Sequence, residues 1–274
     1  MYLVPRLIRA ALLSALVSAT LAGTMQAQVQ DTINKKTPLL VGKDALILGA
    51  FALGAAAVAP IDLRIASRLQ DSATQASRFL GRAATGFRLL GDPGSFVTGT
   101  GIYLIGRAQR NRRVESLGLH SVESILFADI LGGGIKMLAG RQRPFVDIKT
   151  PYNFQLWRGF QGDKYRSFPS GHTITAFAFA STVTREPQFW WPHSGWIVGT
   201  IFYGGASLVG VSRVFNNQHW ASDVVAGAAL GTIVGLKVVK YTHSHPGNHL
   251  DQTLIKGKNS SLIQVNPVLF SIQF

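Results

Sequence analysis

The chain contains no cysteine. Disulfide staples, thiolate nucleophiles, cysteine-ligated metals and a lipidated N-terminal cysteine are therefore all excluded. Acidic residues are scarce as well, with 13 Asp+Glu against 27 Lys+Arg and a net charge of +14. Charged residues of both signs make up only 15% of the sequence, where soluble domains carry about 25%. The basic excess is not matched by zinc-ligand spacing, a basic heptad helix or an aromatic RNA-binding signature, so no nucleic-acid partner is expected. Anionic lipid surfaces or phosphorylated substrates account for it instead. Most apolar stretches of the body fall short of the roughly 20 residues needed to cross a bilayer upright. Length alone therefore leaves open whether they span a membrane or build a water-soluble bundle.

What is abundant is apolar surface and glycine. Apolar residues form 47% of the chain, and many of its 29 glycines sit inside apolar stretches, a habit of membrane helices. MYLVPRLIR carries two arginines and no acid, AALLSALVSATLAG follows, and TMQAQ offers a cleavage site after Ala27. Residues 1–27 thus read as a signal peptide, with an uncleaved anchor helix as the alternative. Either way the chain is addressed to a bacterial-type cell envelope. Residues 28–38 read as a polar linker, 39–242 as the helical bundle and 243–274 as a C-terminal tail.

Within the bundle, ALILGAFALGAAAVAP (45–60) is a helix ended by Pro60. From Ile65 to Leu90 apolar residues recur at helical spacing with arginines on other faces, giving one amphipathic helix or a broken pair. This stretch suits either an anionic membrane surface or the outside of a core. Further helices are expected at 96–106, 116–138, 172–184, 195–211 and 221–239, with a polar loop over 141–168. The fold class is all-α, a six-helix bundle with no strand before the last residues.

Three stretches bring polar chemistry into this background. KMLAGRQRP (136–144) places Lys136 and Arg143 at a helix end, with Gly140 and Pro144 marking the stop. FPSGH (168–172) offers Ser170 as an N-cap and Gly171 for close backbone approach. His172 then falls in the first turn of an apolar helix, whose free N–H groups form an anion site. SRVFNNQHWASD (212–223) sets Asp223 four residues after His219, stacked on one face if helical, where the carboxylate can fix the imidazole tautomer. Asn216-Asn217 invites a break that lets Arg213 swing toward His219.

Each stretch alone fits an ordinary capped or solvated helix end. Together they supply three cations, a helix N-terminus and two histidines, the parts required for phosphoryl transfer through a phosphohistidine. His219 would attack phosphorus and His172 would protonate the departing oxygen, then act as base toward water. No carboxylate cluster accompanies the motifs, so no metal or cofactor is expected at the site.

In order and spacing the three stretches resemble the signature of the type 2 phosphatidic acid phosphatase and vanadium haloperoxidase superfamily. That signature reads lysine, six residues, Arg-Pro; then Pro-Ser-Gly-His; then Ser-Arg, five residues, histidine, three residues, aspartate, and every defining position is filled here. The resemblance implies an all-α bundle and a phosphate pocket of Lys136, Arg143, Ser170, Gly171 and Arg213. It implies His219 as nucleophile, Asp223 as its orienting partner and His172 as acid/base. It leaves three activities in competition: a membrane phosphatase for lipid phosphates, a soluble periplasmic acid phosphatase, and a haloperoxidase. Vanadate would be an inhibitor of the first two and the cofactor of the third. The apolar composition favours the membrane enzyme, with its site outside the cytoplasm. Span number and orientation stay open, because three crossings before residue 141 would put the catalytic loop on the wrong side. Substrate headgroup and oligomeric state are not written in the motifs.

The remaining polar features carry less. His243, His245 and His249 read as a solvated tail, and His120 and His193 as structural. Tyr152, Trp157 and Arg158 in the loop either touch substrate or pack. PVLFSIQF alternates like a strand and reads as an edge or docking segment.

Overall fold

The computed structural model describes residues 42–255. The expected signal peptide, the linker and the strand-like C-terminus lie outside the described residues. Helix α1 (Gly42–Val58) stops one residue before a 3₁₀ turn, Ala59–Ile61, built on Pro60, and α2 (Asp62–Leu69) continues from it. The amphipathic stretch to Leu90 is broken into three: α2, a single turn at Ser72–Gln75, and α3 (Arg78–Leu89). Ser77 enforces the last break by capping α3, its Oγ accepting from Leu80 N at 3.4 Å. Next come α4 (Ser95–Ala108) and α5 (Arg112–Ala139), the latter capped by Asn111. Helix α5 ends at Gly140, whose φ of 55° is left-handed, and a Cβ there would lie 1.9 Å from Gln155 O. Only glycine fits this stop. Helices α6 (Gly171–Arg185), α7 (Gly195–Phe215), α8 (Ala221–Ser244) and α9 (His249–Leu254) complete the chain. The described residues are helical with an isolated bridge, Arg141 to Phe154, and no sheet. Among the described residues the helices exceed the expected six, in part because the amphipathic stretch is divided and the tail contributes α9.

Helix α6 is the axis. Nearly all of it from Thr173 to Thr184 is buried, the mark of a helix packed on every side. Ile174, Ala178, Phe179 and Val183 meet Ile125 and Ala128 of α5 and Val234 of α8. On its other side Ala176, Phe177 and Ala180 meet Tyr203, Ala206 and Val209 of α7. Two of its buried hydroxyls pair across the bundle: Thr182 donates to Ser124 Oγ at 2.8 Å, and Ser181 accepts from Tyr203 at 2.9 Å. On α8, Gly227, Gly231 and Gly235 face Ser170, Ile174 and Ala178 in turn, so close that a Cβ would meet backbone at 2.3–2.7 Å. This ordered pairing makes α6 and α8 parallel. Gly132 against Ile174 and Gly210 against Thr173 make α5 and α7 antiparallel to them. Two helix C-termini and two N-termini therefore converge at one end of the bundle, and all three motifs lie there.

The outer surface is apolar. Leu126, Phe127, Ile130 and Leu131 on α5 are 48–70% exposed, and Trp196 and Ile201 on α7 are each 63% exposed. An exposed apolar belt of this kind marks a surface that meets a membrane or a partner. Three helical segments, Gly49–Leu69, Pro192–Phe215 and Ala221–Ser244, are long and apolar enough to cross a membrane. Composition, span length and outward-facing surface agree on membrane association.

Candidate active site

Lys136 enters from the last turn of α5. Its ammonium donates to the carbonyl of Pro169 and, at 3.4 Å, to that of Arg166, so it lies under the turn that opens α6. Gly171 faces the same lysine, and a Cβ there would sit 3.5 Å from Lys136 Cε. Ser170 stands at the N-cap of α6 but its side chain makes no cap bond; its Oγ accepts from Thr173 Oγ1 at 2.8 Å. The expected serine cap is absent because Thr173 takes the hydroxyl. The first-turn N–H groups of α6 keep their full anion-binding capacity as a result.

Arg143 comes from the loop after α5. It bonds Asp163 through Nε and Nη2 and Gln218 through Nη1, and that same Nη1 lies 3.5 Å from His219 Nε2. Arg213 comes from the last turn of α7, which ends at Phe215, and Asn217 adopts a left-handed φ of 57°. The break at Asn216-Asn217 is thus present and turns the chain back toward the site. Arg213 is only 5% exposed, yet its Nε and Nη1 make no hydrogen bond. A buried guanidinium with unused donors costs roughly 1–3 kcal/mol or more per group. Both donors are free to meet an anion.

His219 is 2% exposed and lies in the loop before α8, not on the helix. The pairing expected from i,i+4 stacking is replaced. Nδ1 of His219 is 2.7 Å from the carbonyl of Ser167, whereas Asp223 Oδ2 stands 3.8 Å away, beyond hydrogen-bonding range. A carbonyl only accepts, so Nδ1 carries the proton and Nε2 is the free lone pair, facing Arg143. Asp223 instead caps α8 through Trp220 N at 2.9 Å and accepts from Ser167 Oγ at 2.6 Å. Its other oxygen pairs with Arg141 at 2.5 Å. Arg141 also binds Asp62 at 2.8 Å, and Asp62 in turn accepts from Ser222. This buried hub of Arg141, Asp62, Ser167 and Ser222 fastens α2 and the 140–170 loop to the start of α8. Motif spacing does not reveal it; the one available signal was Asp62, an acid at the end of an apolar run.

His172, half-buried in the first turn of α6, and His219 both lie outside the three candidate spans. Burial pushes His172 down to about 3, helped by the charges of Arg213, Arg88, Lys136 and Arg143. Burial likewise pushes His219 down to about 3; Asp223 opposes this, while Lys136 and Arg143 add to it. Both imidazoles are neutral at pH 7, as a nitrogen nucleophile requires. Arg88, in the last turn of α3, is a fourth cation that the motifs do not announce. In the loop, Tyr152 is tied to Ala59 O at 3.0 Å, and Arg158 packs over Tyr165 at 3.8 Å. Trp157 is 63% exposed and stacks with Phe160 at the rim.

Among known proteins, residues 117–245 match the model of the PAP2 superfamily. A Porphyromonas gingivalis protein named lipid A 1-phosphatase is 37% identical over 131 residues, 45% of this chain and 24% of that one. A Sulfolobus acidocaldarius undecaprenyl-diphosphatase is 30% identical over 143 residues, 52% of this chain and 64% of the relative. The matches thus span less than two thirds of either relative. The crystal structure of a transmembrane PAP2 type phosphatidylglycerolphosphate phosphatase from Bacillus subtilis superposes with a TM-score of 0.48 at 21% identity. It covers 76% of this chain and 99% of that one. The segment that matches, from within α5 through the end of α8, contains every residue of the three motifs, and over residues 117–245 the chain carries a PAP2 superfamily match.

Proposed function

We propose that this chain is a phosphatase that hydrolyses phosphate monoesters or diphosphates of membrane lipids through a phosphohistidine on His219, with no metal at the site. The observation that carries the reading is Arg213, a buried guanidinium with two unused donors whose charge acts on His172 in the first turn of an uncapped helix, while His219 of the same motif is held in one tautomer. The phosphate oxygens accept from Arg213, Lys136, Arg143 and the N–H groups around Gly171. Nε2 of His219 attacks phosphorus, and the Asp223 charge 3.8 Å from Nδ1 stabilises the imidazolium that forms. His172 gives its proton to the departing oxygen. In the free protein His172 is neutral, so the substrate itself must raise its basicity. A dianionic phosphate offsets the same four cations that hold this histidine down. Water then cleaves the phosphohistidine with His172 as base.

The relatives named above act on lipid-linked phosphates, and the apolar belt presents the site to a substrate held in a bilayer. Both favour a lipid phosphate over the soluble substrates of a periplasmic acid phosphatase. Basic residues cluster at both ends of the bundle, in 107–113 and in 141–166, so charge bias gives no orientation. The extracytoplasmic placement rests on the N-terminal leader-like segment and on the family resemblance. The absence of cysteine makes that placement testable: a Lys149→Cys variant should react with a membrane-impermeant maleimide in intact spheroplasts, and labelling only after lysis would reverse the orientation. For the activity, purified protein is assayed against a lipid phosphate monoester, a lipid diphosphate and p-nitrophenyl phosphate. Lipid substrates should give the higher kcat/KM, and preference for the soluble ester would favour the acid-phosphatase reading.

A further inference from the structure

The two antiparallel helix pairs converge twice, and the second convergence, at the end opposite the catalytic motifs, also gathers chemistry. His243 lies roughly 30 Å from Asp223 along α8 at 1.5 Å per residue. There His120 of α5, Glu186 just beyond α6 and His243 of α8 bring one ligand atom each within 4.8 Å of one another. His120 Nδ1 is 3.0 Å from Glu186 Oε2, and His243 Nε2 is 2.9 Å from Glu186 Oε1. The other ring nitrogen of His120, Nε2, is 3.3 Å from Asp251 Oδ1 on α9. Glu186 and His120 are 1% and 3% exposed, so neither carboxylate nor imidazole has water to fall back on.

We infer that His120 Nδ1, the Glu186 carboxylate and His243 Nε2 form a binding site for a first-row divalent cation, with zinc the ion that best matches the ligands. Two imidazoles and one carboxylate are the borderline donor set such ions prefer, and three protein ligands leave a fourth position open. The Asp251 contact has the form of an outer carboxylate that receives the remaining N–H of a ligating histidine and fixes its tautomer. Two further observations support a cation. Glu123, one turn along α5 and 8% exposed, has a carboxylate oxygen with no hydrogen bond and adds a third acid near His120. A cavity of about 250 Å³, lined by Arg112, Ser116, His120, Thr242, His243 and Asp251 among others, opens onto the cluster and gives an ion or an exogenous ligand access. His243 is held in place by stacking on Phe189 at 3.6 Å. The site would clamp α5, α6, α8 and α9 together at the end remote from catalysis. The reading of 243–249 as a solvated tail is corrected by these contacts.

The test measures metal, not turnover. The full-length protein in detergent is stripped with EDTA, equilibrated with micromolar ZnCl2, passed over a desalting column and analysed by mass spectrometry for zinc per chain. Wild type should retain one equivalent, and zinc should raise its thermal midpoint where magnesium does not. His243→Ala, at a half-exposed position that tolerates truncation, and Glu186→Gln should each hold less than a fifth of an equivalent. Asp251→Asn should keep the ion with about 10- to 100-fold weaker affinity. His219→Ala should keep the full equivalent, which separates this site from the catalytic one. Wild type without stoichiometric zinc, or a His243→Ala protein that binds as well as wild type, would show a carboxylate hydrogen-bonded between two imidazoles and no metal site.

Discussion

Replacing Arg213 by methionine should move activity and stability in opposite directions. Nε and Nη1 of this side chain are buried and unpaired, so in the free protein the guanidinium is a cost: roughly 1–3 kcal/mol per unsatisfied group. Methionine fills a similar volume without that cost. The variant's thermal midpoint in phosphate-free buffer should therefore equal or exceed that of wild type. In the transition state the same two donors meet phosphoryl oxygens, and charge-assisted bonds contribute about 1.5–3 kcal/mol each. Losing both removes about 3–6 kcal/mol, which at 1.36 kcal/mol per decade is a fall in kcat/KM of about 10² to 10⁴. Arg213→Lys should lie between, because an ammonium keeps the charge but not the donors fixed on a planar guanidinium. The assays are kcat/KM on a phosphate ester and thermal scanning with and without orthovanadate. Vanadate should stabilise wild type and leave Arg213→Met unmoved. A variant that is both less stable and within tenfold of wild-type activity would refute the assignment of Arg213 as an anion receptor.

Other consequences follow from the same geometry. Asp223→Asn should slow turnover by about 10²-fold or more, as expected when the support of an acid–base group is lost, whereas Ser167→Ala, which keeps the carbonyl that orients His219, should stay within tenfold. Arg141→Met leaves Asp62 and Asp223 buried without their cation and should cost about 3–5 kcal/mol of stability, read as an earlier denaturation midpoint. Because burial disfavours the charged ring, His172 and His219 should show no NMR titration between pH 8 and 5. The unfolded chain takes up protons below about pH 6.5 and the native pair only near 3, so stability should fall as pH drops through that interval; imidazole shifts with midpoints near 6.5 would contradict the burial argument. EDTA should lower the thermal midpoint through the distal cluster and leave phosphatase turnover at 25 °C within twofold, whereas a loss restored by Mg2+ would place a metal in the catalytic step.

Local signals in the sequence were reliable where one or two residues decide the backbone. Gly140 stops α5, Pro60 ends α1, and Asn216-Asn217 breaks the chain before His219, each through its own φ/ψ preference. The identities of the motif residues were legible for a related reason: spacing along a helix fixes which end a side chain occupies. Hydrogen-bond partners were not. The i,i+4 rule assigned Asp223 to His219 as though both were helical, but His219 precedes the helix and a carbonyl 52 residues away takes its N–H. Ser170 has the right identity for a cap and loses the role to Thr173. Arg141, Asp62, Arg88 and the His120–Glu186–His243 cluster depend on contacts between distant segments. No local pattern encodes such contacts, and they emerge only once α5 to α8 are packed.

The central claim is that Nε2 of His219 becomes bonded to phosphorus. With p-nitrophenyl phosphate, whose leaving group needs no proton, a His172→Ala variant should complete the first step and stall before hydrolysis. Rapid quenching into alkali with ³²P-labelled ester should then recover acid-labile label on the peptide containing His219, near one equivalent per active site. Label on any other residue, or full turnover with no labelled histidine, would contradict the account.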